Sequence, residues 1–269
     1  MPITQITDAE FAQFQRFIFD AAGISMADAK KALVMGRLGK RLVHYDLDSF
    51  GAYFQLLTSG RCADEVQMAV DLLTTNETYF FRENKHFDFL RSQALAARGR
   101  HQTYRVWSAA SSSGEEAYTM AMVLADVMPG LPWEIVGTDI SARVIEGARR
   151  GLYSLERGRN IPREYLQRFC RKGIEEYDGY LLVEQSLRSH VTFVHANLNE
   201  PLPELGKFDM VFLRNVMIYF NLETKREVVA RVLSTLKPGG YFCIGHSESL
   251  NDITQALENI APSIYRKSA

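Results

Sequence analysis

The sequence lacks most of the features that would name a chemistry at once. Its three cysteines, Cys62, Cys170 and Cys243, are odd in number and far apart, which excludes a disulfide framework or a clustered thiolate metal site and leaves core thiols in a reducing compartment. The six histidines show no ligand spacing, and His246-Ser247-Glu248 is too isolated to count as a ligand pair, so no metal is expected. No run of eighteen apolar residues occurs, and the start, MPITQITDAEFAQF, has no basic stretch leading into an apolar one, so neither a membrane span nor a secretory leader is expected. A formal net charge of −1 excludes wholesale electrostatic binding to nucleic acid or an anionic membrane, although a local patch could still meet a charged partner. There is no GxSxG nucleophile turn and no GxGxxG dinucleotide turn, which removes the serine hydrolase and NAD-dependent dehydrogenase readings.

What the chain does contain is two rhythms. Phe11, Phe14, Phe17, Ile18 and Ala21 recur at helical spacing after the cap signal Thr7-Asp8-Ala9-Glu10, and helical segments follow at roughly 28–43, 49–58 and 62–73. Residues 1–75 therefore read as a small all-helical domain, with a linker to about 80 in LLTTNETYF. From Tyr104 the apolar runs YRVWSAA, WEIVGTDI, VTFVHAN, FDMVFLRNV and YFCIGH alternate with helices at 114–127, 141–150 and 223–236, the pattern of a parallel sheet covered by helices on both faces. Residues 81–269 form this α/β domain. Between Gly151 and the strand at 191 lie about forty residues, more than a crossover needs, so 152–190 reads as an insertion with a short helix and a small antiparallel patch.

Open parallel sheets bind ligands at the carboxyl ends of their strands, near the switch in strand order. The first such end is WSAASSSGEEAY. Its serines and Gly114 suit a tight turn into a helix N-terminus, but Glu115 and Glu116 would repel a pyrophosphate and would suit a cationic group. The same letters also allow a capping box with a serine cap. The second strand ends at Asp139, 25 residues beyond Gly114, where an acid can accept both hydroxyls of a ribose; Asp139 or Ser141 could equally cap the next helix. A ribose acid beside a turn hostile to phosphate points to S-adenosylmethionine, a nucleoside with a sulfonium, an ammonium and a carboxylate.

Asn197 and Leu198 fall where the third strand ends, an amide and an apolar group suited to adenine. Arg214, Asn215 and Tyr219 follow the fourth. An arginine after VFL is costly to bury alone and needs a partner, which a neighbouring acid could supply without any ligand. At the domain junction, Asn76, Glu77, Thr78 and Arg82 surround Tyr79-Phe80-Phe81, and Arg82 can clamp a carboxylate in two-pronged fashion. Lys30, Arg37 and Arg41 share one helical stripe, with Leu33, Leu38 and Leu42 turned inward and no acid between residues 29 and 45. Such a face is either merely solvated or a docking surface for an acidic partner.

The strings TTNETYFFRE, YRVWSAASSSGEEAYTMA, TDIS, FLRNVMIYF, LKPGG and GHSES, in this order after a helical N-terminal region, resemble the CheR-type chemotaxis receptor glutamate methyltransferases over nearly the whole chain. The resemblance implies a Rossmann-like methyltransferase sheet with an N-terminal receptor-recognition domain and an inserted β subdomain. It implies transfer of a methyl group from S-adenosylmethionine to glutamates on the cytoplasmic helical region of chemoreceptors, giving glutamyl methyl esters and S-adenosylhomocysteine. Carried onto matching positions, Asn76, Thr78 and Arg82 line the cofactor site, Glu116 in preference to Glu115 receives the ammonium, and Asp139 takes the ribose. Asn197 and Leu198 frame adenine, Arg214 and Asn215 close the methyl-donor end, Arg82 and Tyr219 orient the acceptor, and Lys30, Arg37 and Arg41 meet the receptor. Some members grip a receptor tail through a Gly-x-Gly-x-x-x-Gly pattern; here Gly173 to Gly179 reads GIEEYDG without the middle glycine, which leaves tail tethering open. A cytoplasmic monomer recruited to receptor arrays is expected. A small-molecule O-methyltransferase and a non-catalytic S-adenosylmethionine-sensing module are the rival readings.

Overall fold

The computed structural model describes residues 5–100 and 102–268. Thr7 opens α1 (Asp8–Ala22) with a full capping box to Glu10, and Gly23 at φ 69° ends it. A 3-10 turn (Asp28–Lys30) leads into α2 (Lys31–His44), followed by α3 (Phe50–Thr58) and α4 (Ala63–Leu73). Phe11, Phe14, Ile18, Val34, Leu38, Leu42, Phe50 and Tyr53 are buried together as the core of this bundle. The inward stripe of α2 is Val34, Leu38 and Leu42; Leu33, expected inward, is only half-buried, a one-residue error of helical phase.

The second part opens with α5 (Lys85–Ala97), which the sequence reading did not anticipate, and then alternates β1 (Tyr104–Ser108), α6 (Glu115–Val127), β2 (Trp133–Asp139) and α7 (Ala142–Arg150). The insertion follows: β3 (Leu152–Ser154), α8 (Arg163–Phe169), β4 (Cys170–Lys172), β5 (Tyr180–Val183) and α9 (Gln185–Arg188), its strands forming an antiparallel sheet in the order β3-β5-β4. The chain returns through β6 (Val191–His195), β7 (Phe208–Leu213), α10 (Leu222–Thr235), β8 (Leu236–Ile244), β9 (Leu257–Ala261) and β10 (Ile264–Lys267).

The large sheet has the order β6-β2-β1-β7-β8-β10-β9. It is mixed and not wholly parallel as expected, because β10 runs antiparallel to both β8 and β9. β9 escaped the sequence reading because LENIA is a largely exposed edge strand with little apolar alternation. Alternate residues feed two cores: Val106 packs with α5 and α6 on one face, while Trp107 packs with α10 on the other. Strand order reverses at β1, which lies between β2 and β7, so the crevice opens at the carboxyl ends of β1 and β7.

The helical part is built onto this crevice. Asp71, almost fully buried at the end of α4, accepts the Ala142 and Arg143 amides at 3.1 and 3.2 Å and so caps α7 from the other domain. Ile24 bridges to Phe220, and the Ser25 amide donates to the Tyr219 carbonyl at 2.8 Å. Among the described residues no helix is long and apolar enough to cross a membrane.

Candidate active site

The turn after β1 is tight for a measurable reason. Gly114 sits at φ 94°, and a Cβ there would lie 2.8 Å from Ala148 Cβ, 2.9 Å from Tyr153 Oη and 3.0 Å from Phe193 Cζ. Gly114 itself is the N-cap of α6 and no side chain caps it, so the serine-cap reading of this stretch does not hold. The two acids that follow diverge. Glu115 is wholly buried and pairs with Arg157 of the insertion at 2.5 Å, with burial pushing its carboxyl above the usual range. Glu116 turns toward the crevice, where its Oε1 accepts from Ser108 Oγ at 2.7 Å and its Oε2 from Arg214 Nη1 at 2.6 Å.

Arg214 has a side chain only 1 % exposed and stands between two carboxylates, Glu116 and Glu83, the latter 3.0 Å from Nη2. Burial opposes its charge, but Glu116 and Glu83 more than offset this and hold its pKa above the ordinary guanidinium value. Burial likewise penalises the Glu83 carboxylate, yet Arg214 and the Asn215 amide keep its pKa below the usual range. Asp139 is also buried. Its Oδ2 accepts the Ser112 amide and its Oδ1 the Ser141 amide, each at 2.9 Å, while burial pushes its carboxyl up. Ser141, not Asp139, is the N-cap of α7.

All ten residues expected at the cofactor site and reaction centre line one open cavity: Asn76, Thr78, Arg82, Glu116, Asp139, Asn197, Leu198, Arg214, Asn215 and Tyr219. Several already carry internal bonds. Asn197 donates to the Ala21 carbonyl at 2.7 Å and accepts from the Asn199 amide at 3.0 Å, so much of its amide ties the two domains together. Arg82 donates to the Glu77 carbonyl at 2.9 Å and lies over the Tyr79 ring. Left-handed backbone at Ser112 and Asn215 places local strain in the cavity wall.

The basic stripe separates on folding. Lys30 is exposed, whereas the Arg37 guanidinium donates to the Leu73 and Thr74 carbonyls at 3.2 and 2.9 Å, closing the end of α4. Burial and nearby Arg143 lower the Arg37 pKa. Arg41 makes a two-pronged pair with buried Glu65 at 2.8 and 2.6 Å, and Tyr53 and Tyr45 complete the carboxylate's partners. Arg41 therefore holds the bundle together and is not the free charge that its helical spacing suggested.

Sequence reasoning missed Ala22 and Ile24, which wall the cavity from the helical domain; Ser112, in the turn it singled out, also lines the cavity. It also missed Glu83 and Glu248. Glu248 is largely buried, and its Oε2 accepts the Gly245 amide at 2.7 Å and the Asn215 amide at 2.8 Å, fixing the loop that leads to Tyr219. One signal was available: Arg214 follows an apolar run and had to find an acid, though spacing could not say which. The fold also gathers Glu83 and His86, three residues apart, with His246, whose distance along the chain hid the set from a test of ligand spacing.

A crevice at a switch point, with a buried ribose-type acid, a turn hostile to phosphate and a carboxylate facing inward, defines an S-adenosylmethionine-dependent methyltransferase. The residues present fit that cofactor: Ala109, Ala110, Ile140 and Leu198 give apolar wall, and buried Arg214 Nε lacks a partner among the described residues. The chain belongs to the CheR methyltransferase family. Residues 76–265 match the CheR methyltransferase SAM binding domain, and residues 9–74 match the CheR methyltransferase all-alpha domain. It is 39 % identical to the chemotaxis protein methyltransferase of Salmonella typhimurium, over 98 % of this chain and 91 % of that protein. It is 37 % identical to chemotaxis protein methyltransferase 2 of Pseudomonas aeruginosa, over 96 % of this chain and 93 % of that one.

Proposed function

We propose that this methyltransferase acts on glutamate side chains in the cytoplasmic helical region of chemoreceptors, making glutamyl methyl esters. The observation that supports the reading is the chemistry of the cavity wall: Arg82, Asn215 and Tyr219 are part of it, and among the described residues no histidine, lysine or cysteine lines the cavity. A carboxylate acceptor needs no such base, because a glutamate with a pKa of ~4.3 is already ionised at neutral pH. When bound, S-adenosylmethionine supplies an electrophilic methyl carbon, and a C–O bond to the acceptor forms as the C–S bond breaks, releasing S-adenosylhomocysteine. The protein's part is placement. Arg82 and Tyr219 orient the acceptor oxygen in line with that bond, and such placement is worth roughly 7–11 kcal/mol. Too strong a pairing would blunt the nucleophile, which suits Arg82, already shared with a backbone carbonyl and a ring.

In this reading, residues 1–75 recognise the receptor through the exposed end of the basic stripe at Lys30, and Arg37 borders the cleft. The protein works as a cytoplasmic monomer that visits receptor arrays. The names of its relatives, chemotaxis protein methyltransferases, support the setting. The test is transfer of radiolabelled methyl groups to receptor-containing membranes followed by mild base. Label released as methanol is expected; label that survives base, or appears only on small molecules, sinks the glutamate reading, and no transfer at all favours the sensing module.

A further inference from the structure

Behind Arg214, outside the cofactor cavity, Glu83, His86 and His246 bring their ligating atoms within 4.8 Å of one another. His86 is wholly buried, and among the described residues neither of its ring nitrogens has a hydrogen-bond partner. The nearest acceptor, Glu83 Oε2, stands 3.6 Å from Nδ1, beyond hydrogen-bond reach. The His246 ring lies 5.0 Å away, centroid to centroid, and is exposed. Native interiors rarely leave a buried polar group orphaned, and one that points at a second imidazole and a carboxylate calls for a missing partner.

We propose that Glu83, His86 and His246 form a binding site for a divalent transition-metal ion of the zinc class. Two imidazole nitrogens and one carboxylate oxygen are a donor set that such ions take, with a position left for water. A rotation of exposed His246 would bring its nitrogen to coordination distance. Glu83 is already oriented by Arg214 at 3.0 Å, by Asn215 Nδ2 at 3.2 Å and by the His246 amide at 3.2 Å, the kind of outer hydrogen bonds that steer a ligating carboxylate. Arg214 opposes a cation nearby, but Glu83 and Glu116 set two carboxylates against its one charge. An ion there would compete with Arg214 for Glu83, so metal occupancy is coupled to the cofactor end of the cleft.

The experiment uses the untagged full chain, stripped with chelator, and zinc or cobalt(II) alone, followed by calorimetry and by the visible spectrum of bound cobalt. One ion per chain is expected, with ligand-field bands and no thiolate-to-cobalt band. His246→Ala should weaken uptake about tenfold or more, since even outer-shell partners cost that much. His86→Phe, which keeps a ring beside Phe212, should abolish it. No uptake, as expected if water alone partners His86, overturns the proposal; so does a thiolate band, or affinity unchanged in either variant. None of these readings depends on methyl transfer, so this idea and the glutamate assignment fail separately.

Discussion

Glu116 and Arg214, 98 residues apart in sequence, meet at 2.6 Å across the point where strand order reverses. The acid assigned to the cofactor's ammonium is thus already neutralised by the protein, and Arg214 keeps Glu83 as a second partner when Glu116 turns to a ligand. Exchange of one cation for another avoids ever leaving a buried charge alone.

Glu116→Gln should therefore lower affinity for S-adenosylhomocysteine about tenfold or more, since a charge-assisted hydrogen bond is worth about 1.5–3 kcal/mol. Calorimetry reads this directly. Unchanged affinity would reduce Glu116 to an ion-pair partner of Arg214.

Arg41→Ala should destabilise the bundle by about 3 kcal/mol, because it strands the buried Glu65 carboxylate. Charge reversal at Arg41 would act mainly through folding. Lys30→Glu is the cleaner probe of docking: it should slow receptor methylation at low salt and leave the melting temperature and cofactor affinity unchanged, and equal rates would remove Lys30 from the interface.

His86 gives the fold a pH dependence whose sign is fixed. Burial first, then Arg214, pull its pKa down from 6.5 to about 3, with Glu83 opposing and His246 adding to the fall. The unfolded chain binds the proton more tightly, so stability is complete above pH 6.5 and is lost as pH drops toward 3. Between pH 7 and pH 5, metal-free protein should lose about 2 kcal/mol that His86→Phe retains, measured by urea unfolding. Parallel pH profiles for the two proteins would show that His86 titrates normally.

Gly114→Ala should cost about 2–4 kcal/mol, combining left-handed backbone with overpacking against Ala148, Tyr153 and Phe193. The measurement is thermal melting. A wild-type melting temperature would mean that the turn relaxes easily.

Much of this was legible in the chain because strand interiors are apolar runs and their ends carry the chemistry. Asp139, Leu198 and Arg214 could be placed from that alone. Arg41 could not, because a helical stripe gives spacing on one element and is silent about what packs against it; Glu65 comes from another helix. Glu83 and His246 were hidden for the same reason, since only the folded chain brings residues 163 positions apart within 3.2 Å. β9 was lost because an exposed edge strand needs no apolar alternation.

Asp71 lies in the helical part, yet it is the acceptor for the first amides of α7, and Ile24 and Ala22 are wall to a cavity whose floor belongs to the sheet. The joint between the two family domains is therefore a shared structural member. A chain cut near residue 75 would not be a smaller methyltransferase: it would have uncapped amides at Ala142 and Arg143 and a cleft missing one side. The intact protein is expected to melt in a single step.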